Sequence, residues 1–205
     1  MRTAAAAVML VAAAGAFGAP VPPPSHPDTI TAKPTLKAKP VTRLALGRFQ
    51  IELERTTLYD VVEAAKVGAI AHQGDGAAST YWLCFTDADG ERRERLWLIS
   101  GPMGGSKRDV LGVAAEFLPA GGKASQDCPQ LPPIMRPATL DRGVWIGMTE
   151  TALRQKLGKP SATNGEWLTY FYAGKKGAWD VLSTLDVLAR DGKVQALRAS
   201  NVTSN

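Results

Sequence analysis

The sequence predicts an α+β protein built as two small tandem units, each a helical segment followed by a three-stranded antiparallel sheet. Three observations carry this prediction. Thr57 and Thr149 each precede apolar residues at helical spacing, Val61 with Ala65 and Leu153 with Leu157. Each helical segment is followed by an aromatic and β-branched run, "YWLCF" and "EWLTYF", of the kind that suits a pleated, half-buried surface. The tight-turn sequences "DADG" and "RDG" then separate further strand-like runs.

Residues 1–18 open with the positive start of Met1 and Arg2 and continue as an alanine-rich apolar run ending in small residues. That is the composition of a secretory signal peptide. Cleavage is expected after Ala16 or Gly18, because a cut after Ala19 would place Pro20 just beyond it. A retained membrane span needs about 20 apolar residues, usually bulkier than these. No cysteine lies nearby to carry a lipid anchor.

Residues 19–45 are rich in proline and lysine and contain "PVPPPSHPDTITAKPTLKAKPVTR". Proline withholds backbone donors and favours extended polyproline geometry, and few large apolar residues are present to bury, so this stretch reads as a tether. Charge supports the division. Of 24 Lys and Arg, Arg2 falls in the signal and Lys33, Lys37, Lys39 and Arg43 in the tether, leaving 19 basic against 18 acidic residues from Leu46 onward. The isoelectric point near 9.3 is therefore mostly a property of the tail. A nucleic-acid binder would carry its positive charge on the folded part, so that class is excluded. The tether reads as a solvated spacer, with weak contact to an anionic membrane or cell-wall polymer as its other use.

Residues 46–118 form the first expected unit. Thr57 opens its helix, a glycine-rich insertion containing "HQGDG" follows, and "YWLCF", "ERLWLIS" and "DVLGVAAEF" make its sheet. Residues 119–140 form a Pro/Gly-rich connector that includes "CPQLPPIMRP". In residues 141–205, the second unit, Thr149 is the N-cap, Met148 and Leu153 form a staple, and Gly158 with Pro160 stops the helix. "NGEWLTYFYA", "DVLSTLDVLA" and "KVQALRAS" follow as strands. Export to an oxidising compartment lets Cys84 and Cys128 form a disulfide, which would contribute about 4 kcal/mol by the loop-entropy argument.

The second unit carries Gly147-Met148-Thr149, then Leu153, Leu157-Gly158 and Pro160, then Trp167 with Tyr170, and finally Gly192-Lys193-Val194. In these residues it resembles the small periplasmic domain of the SmpA/OmlA (BamE) family, whose pattern runs through a G-M-T turn, L…LG-P, an aromatic strand and a G-K-V hairpin. Two such units in tandem look like the architecture of β-lactamase-inhibitory proteins. The resemblance covers about 60 residues well and the first unit loosely. It implies binding rather than catalysis. The missing lipobox cysteine departs from the outer-membrane assembly factor.

Candidate chemistry is sparse. His72, Asp75 and Ser79 fall together in "AHQGDGAAST", but no nucleophile elbow or oxyanion motif frames Ser79, so a polar glycine-rich loop is the reading and an enzyme centred on His72 the alternative. His26 lies in the tether, which leaves His72 without the partners of a histidine metal cluster; no metal and no cofactor is expected. "DADGE", Asp87 to Glu91, lacks the ligand order of a calcium loop and reads as a hairpin turn. "GPMGGSKRD" lacks the order of a phosphate loop and reads as a flexible loop, with a weak anion nest as the alternative.

The aromatics are the stronger clue. Alternation places Trp82 and Cys84 on one strand face against Leu83 and Phe85 on the other, and Trp167 and Phe171 against Leu168, Tyr170 and Tyr172. A helix covers only one face, so the other must meet the connector, the other unit or a partner. Trp82, Trp167 and Phe171 are the protein-binding candidates. The expected protein is periplasmic or secreted and non-catalytic. It would bind an envelope or secreted protein as an assembly accessory factor, with inhibition of a secreted hydrolase such as a β-lactamase as the alternative.

Overall fold

The computed structural model describes residues 20–25, 32–89 and 92–204. Strands β1 (Arg43–Leu46) and β2 (Phe49–Glu52) lead into helix α1 (Leu58–Ala65), followed by β3 (Ala71–Gln73), β4 (Thr80–Asp87), β5 (Glu94–Ser100) and β6 (Gly112–Phe117). The chain then crosses through β7 (Ala138–Leu140) to helix α2 (Glu150–Leu157), β8 (Ala162–Asn164), β9 (Trp167–Lys176), β10 (Trp179–Arg190) and β11 (Lys193–Ser204).

Both helices start where the threonines stand. Thr57 Oγ1 accepts from the Asp60 N–H at 3.0 Å while Asp60 Oδ2 accepts from the Thr57 N–H at 2.8 Å, a reciprocal capping box. Thr149 Oγ1 accepts from the Ala152 N–H at 3.2 Å. Gly158, at φ 80°, ends α2, where a side chain would be strained.

The strands depart from expectation. Instead of two helix-plus-three-strand units, the molecule is mostly β, with one eight-stranded antiparallel sheet in the order β3-β4-β5-β6-β11-β10-β9-β8 and a separate three-stranded sheet, β2-β1-β7. The physical reason lies at β6 and β11. Each would be an open edge in an isolated unit, with a row of unsatisfied backbone groups. They pair with each other from Ala196↔Glu116 to Ser200↔Gly112, which merges the halves. Short β3 and β8 extend the two outer ends, pairing Ala71↔Trp82 and Thr163↔Leu168.

The small sheet also takes residues expected in spacer and connector. Leu44 and Val41 of the expected tether and Leu140 of the connector are buried in the main core. The N–H groups of Thr35 and Leu36 both donate to Phe171 O, at 3.1 and 3.2 Å, and Thr42 donates from N–H and Oγ1 to the Asp141 carboxylate. The later part of the expected tether is thus built into the folded body.

The main core lies on one face of the large sheet. Leu58 and Val61 of α1 and Leu153 and Leu157 of α2 bury there with Leu83, Phe85, Leu98, Tyr170, Leu185 and Leu197. A second cluster occupies the opposite face in the first half: Trp82, Cys84, Trp97, Ile99, Ala114 and Cys128, with Val21 and Ala71 against it. Cys84 and Cys128 form a disulfide with their Cα atoms 4.6 Å apart. Among the described residues no helix is long and apolar enough to cross a membrane. The disulfide is compatible with an extracellular or periplasmic setting. The expected signal segment and its cleavage sites lie outside the described residues.

Candidate functional site

The sheet face turned away from the helices gathers the sequence candidates. Register defines its rows. One row runs Phe171–Thr184–Ser200–Gly112–Ile99–Trp82–Ala71 across seven strands. The next runs Thr169–Asp186–Arg198–Ala114–Trp97–Cys84, and a third Trp167–Leu188–Ala196–Glu116–Arg95–Thr86. Trp82, Trp167 and Phe171 therefore share one face, and Trp82 shares a row with Phe171.

The two ends of the face differ. In the first half Trp82 is only 3% exposed. The disulfide pins the connector beside it, and residues 20–25 lie over it. The Trp82 and Trp97 indole N–H groups both donate to Val21 O, at 2.9 and 3.1 Å. Thr86 is held along the same edge, its N–H donating to Pro129 O at 2.8 Å and its hydroxyl to Cys128 Sγ at 3.3 Å. In the second half Trp167, Phe171 and Leu188 are half-buried and Leu182 is 42% exposed.

Polar side chains run between the apolar ones on β9, β10 and β11. Thr169 Oγ1 donates to Asp186 Oδ1 at 2.6 Å, and Thr184 Oγ1 lies 2.8 Å from Ser200 Oγ. Arg198 is on the same row as Asp186, and its Nη1 donates to Pro24 O at 2.6 Å. Burial draws the Arg198 guanidinium below its ordinary value, and the Asp186 charge opposes that shift. Glu116, beside Arg95, is raised by burial, with Arg95 opposing.

The other candidate residues do not converge on a reactive centre. His72 is exposed and stacks on Tyr81, ring centroids 4.3 Å apart, with the Arg108 guanidinium over the same tyrosine ring at 3.6 Å. Asp75 precedes the short 3-10 turn Gly76–Ala78, and Ser79 is buried at its end. Among the described residues no hydrogen bond joins these three, and no group of three or more metal-ligating side chains occurs. Asp87 meets Gln130 and Arg136, a packing role beside the hairpin; Gly90 and Glu91 lie outside the described residues. The loop at 101–109 closes on itself through Gly104 N–H to Gly101 O and Asp109 N–H to Gly104 O.

Sequence reasoning missed Trp97 and Arg198 as members of this face. The alternation Arg95, Trp97, Ile99 in "ERLWLIS" carried the signal for the first, since it repeats the period of Trp82 and Cys84 one strand away. Arg198 had no local signal, because its role depends on the β6–β11 junction. No protein-family model, curated protein or solved structure matches the chain.

Proposed function

We propose that this is an exported, non-catalytic protein-binding factor of the periplasm or extracellular space, and that it binds through the helix-free face of the eight-stranded sheet. The observation that carries the reading is the aromatic and aliphatic end of that face, where Trp167, Phe171, Leu182 and Leu188 keep access to solvent while Trp82, Trp97 and Cys84 on the same face are covered. Aromatic side chains on a rigid sheet lose little conformational freedom on binding and serve as interface anchors. The disulfide and the apolar, alanine-rich start of the chain support export. The likeness of residues 147–194 to the SmpA/OmlA (BamE) pattern supports envelope assembly as the setting.

Capture from envelope extract, run beside a panel of purified secreted hydrolases that includes β-lactamases, tests the reading. The expected result is retention of a specific envelope protein by the intact chain and its loss with Trp167→Ala and Phe171→Ala. Saturable inhibition of a hydrolase would move the role to inhibitor. Turnover abolished by His72→Ala would replace binding with catalysis.

A further inference from the structure

Residues 20–25, "PVPPPS", lie across the helix-free face from Trp82 and Trp97 on β4 and β5 to Arg198 on β11, without joining it as a strand. Their attachment is made by side-chain donors. Trp82 Nε1 and Trp97 Nε1 converge on Val21 O, and Arg198 Nη1 reaches Pro24 O. Proline has a carbonyl but no N–H, so a proline run offers acceptors almost exclusively. The three side chains that hold it, Trp82, Trp97 and Arg198, are all donors. Indole and guanidinium cannot accept a hydrogen bond, and the match is therefore one of chemical kind as well as of shape.

The spacing matches too. In polyproline II geometry three residues complete a turn of about 9.3 Å, so the carbonyls of residues 21 and 24 point the same way. Trp97 and Arg198 stand on one row with only Ala114 between them, two strand spacings or about 9.6 Å apart. Only the methyl group of the buried Ala114 stands between the tryptophan and the arginine on that row. Pro22, Pro23 and Pro24 themselves line a cavity of about 410 Å³ with Thr80, Trp82 and Arg198, so the segment does not fill the space around it. A neighbouring cavity of about 440 Å³ continues along Ile99, Gly112, Ser200 and Val202.

We propose that Trp82, Trp97 and Arg198 form a receptor site for a proline-rich extended segment of a partner protein, and that this chain's own residues 20–25 occupy the site in its absence. The inference deepens the reading of the helix-free face as a binding surface by naming the ligand class for its first half. Every group that recognises the segment belongs to the large sheet. An incoming chain with carbonyls three residues apart and no intervening donors satisfies the same three donors, and the own segment then acts as a competitor that lowers apparent affinity by the fraction of time the site is closed.

The test uses the full chain labelled with 15N and follows the Trp82 and Trp97 indole N–H resonances. The probe is the synthetic hexapeptide Pro-Val-Pro-Pro-Pro-Ser, and the control is Pro-Val-Gly-Gly-Gly-Ser. Replacing Pro22, Pro23 and Pro24 with glycine weakens the internal competitor. The proline peptide should then shift both indole signals saturably, about ten-fold more tightly than in the unsubstituted chain. The control should leave them in place, and adding Arg198→Met should weaken binding. Should the glycine variant not fold, the unsubstituted chain decides: a spin-labelled form of the proline peptide at about 1 mM must broaden both indole signals, because an unlabelled copy of residues 20–25 would present the same carbonyl to them. Indole signals that stay unmoved in the folded glycine variant or unbroadened in the unsubstituted chain, an equal response to the control peptide, or a concentration-dependent dimer exchanging residues 20–25 between copies would each overturn the proposal. Envelope capture lost with Trp167→Ala reads the other half of the face, so failure of peptide binding and failure of the general reading are separate results.

Discussion

Trp145 Nε1 donates to Glu94 Oε2 at 2.7 Å, and each residue is only 2% exposed. The bond ties the segment entering α2 to the first residue of β5, so it joins the two halves on the helix side just as the β6–β11 pairing joins them within the sheet. Arg92 Nε approaches the same carboxylate oxygen at 3.5 Å. Burial nevertheless dominates and raises the Glu94 carboxyl above its ordinary value; the Trp145 bond and Arg92 oppose it, and Asp87 adds to it.

The direction of that shift fixes a pH dependence. A carboxyl that holds its proton more tightly when folded favours folding fully below its unfolded value, and this contribution is lost as pH rises through the folded value. Glu94→Gln keeps an acceptor for Trp145 and cannot ionise. Relative to the parent, the variant should therefore gain stability between about pH 4 and about pH 8. Urea midpoints at the two ends measure it. Asp109 and Glu116, also raised by burial, are common to both proteins and cancel in the difference. A gap between the proteins that stays constant with pH would contradict the burial argument.

The Cys84–Cys128 bridge closes a loop spanning 44 residues, for which chain entropy gives about 4 kcal/mol. Cys84→Ser and Cys128→Ser should destabilise by similar amounts, and the double variant should be little worse, because either change opens the loop. Thiol titration of unfolded, unreduced parent protein should find no reactive thiol. Two thiols would remove the bridge from the account of both fold and compartment.

The two helix caps give a local test. Each helix has only eight residues, so an orphaned first turn is a large fraction of it. Thr57→Ala and Thr149→Ala should each cost about 1 kcal/mol in chemical denaturation. Asp60→Ala should couple to Thr57→Ala, because the two side chains cap each other's backbone, whereas it should add independently to Thr149→Ala.

Local chemistry was legible and long-range pairing was not. Thr57 and Thr149 announced their helices because a cap is decided within four residues. Alternation likewise set Leu83 and Phe85 on one face against Trp82 and Cys84 on the other, but did not say which of the two faces meets the helices. The joining of Glu116 to Ala196 had no local signature, since any exposed strand edge can accept another. Val41 and Leu44 were hidden by the prolines and lysines around them, whose composition matches a spacer although the apolar residues between them are buried. Trp97 was readable by the same alternation that identified Trp82; what sequence did not supply was the carbonyl of Val21 that brings their indoles together.

That convergence separates two tryptophans that the sequence treats as equivalents. Trp82 is buried under residues 20–25 and beside the disulfide, whereas Trp167 is half-buried at the far end of the same face. Removing a buried aromatic ring leaves a cavity and costs about 3–5 kcal/mol, so Trp82→Ala should unfold at clearly lower denaturant. In that variant the Trp97 indole keeps Val21 O to itself, and Trp97→Phe in the parent isolates the loss of one donor from the loss of a ring. Trp167→Ala should cost clearly less stability than Trp82→Ala, because Trp167 is only partly buried. Its effect belongs in binding, where loss of an interface anchor costs about 2 kcal/mol or more, roughly thirty-fold in affinity. Denaturation and partner capture measured on the same preparations distinguish the two residues. Strong destabilisation by Trp167→Ala would return that end of the face to the core, whereas normal stability with lost capture places the contact there.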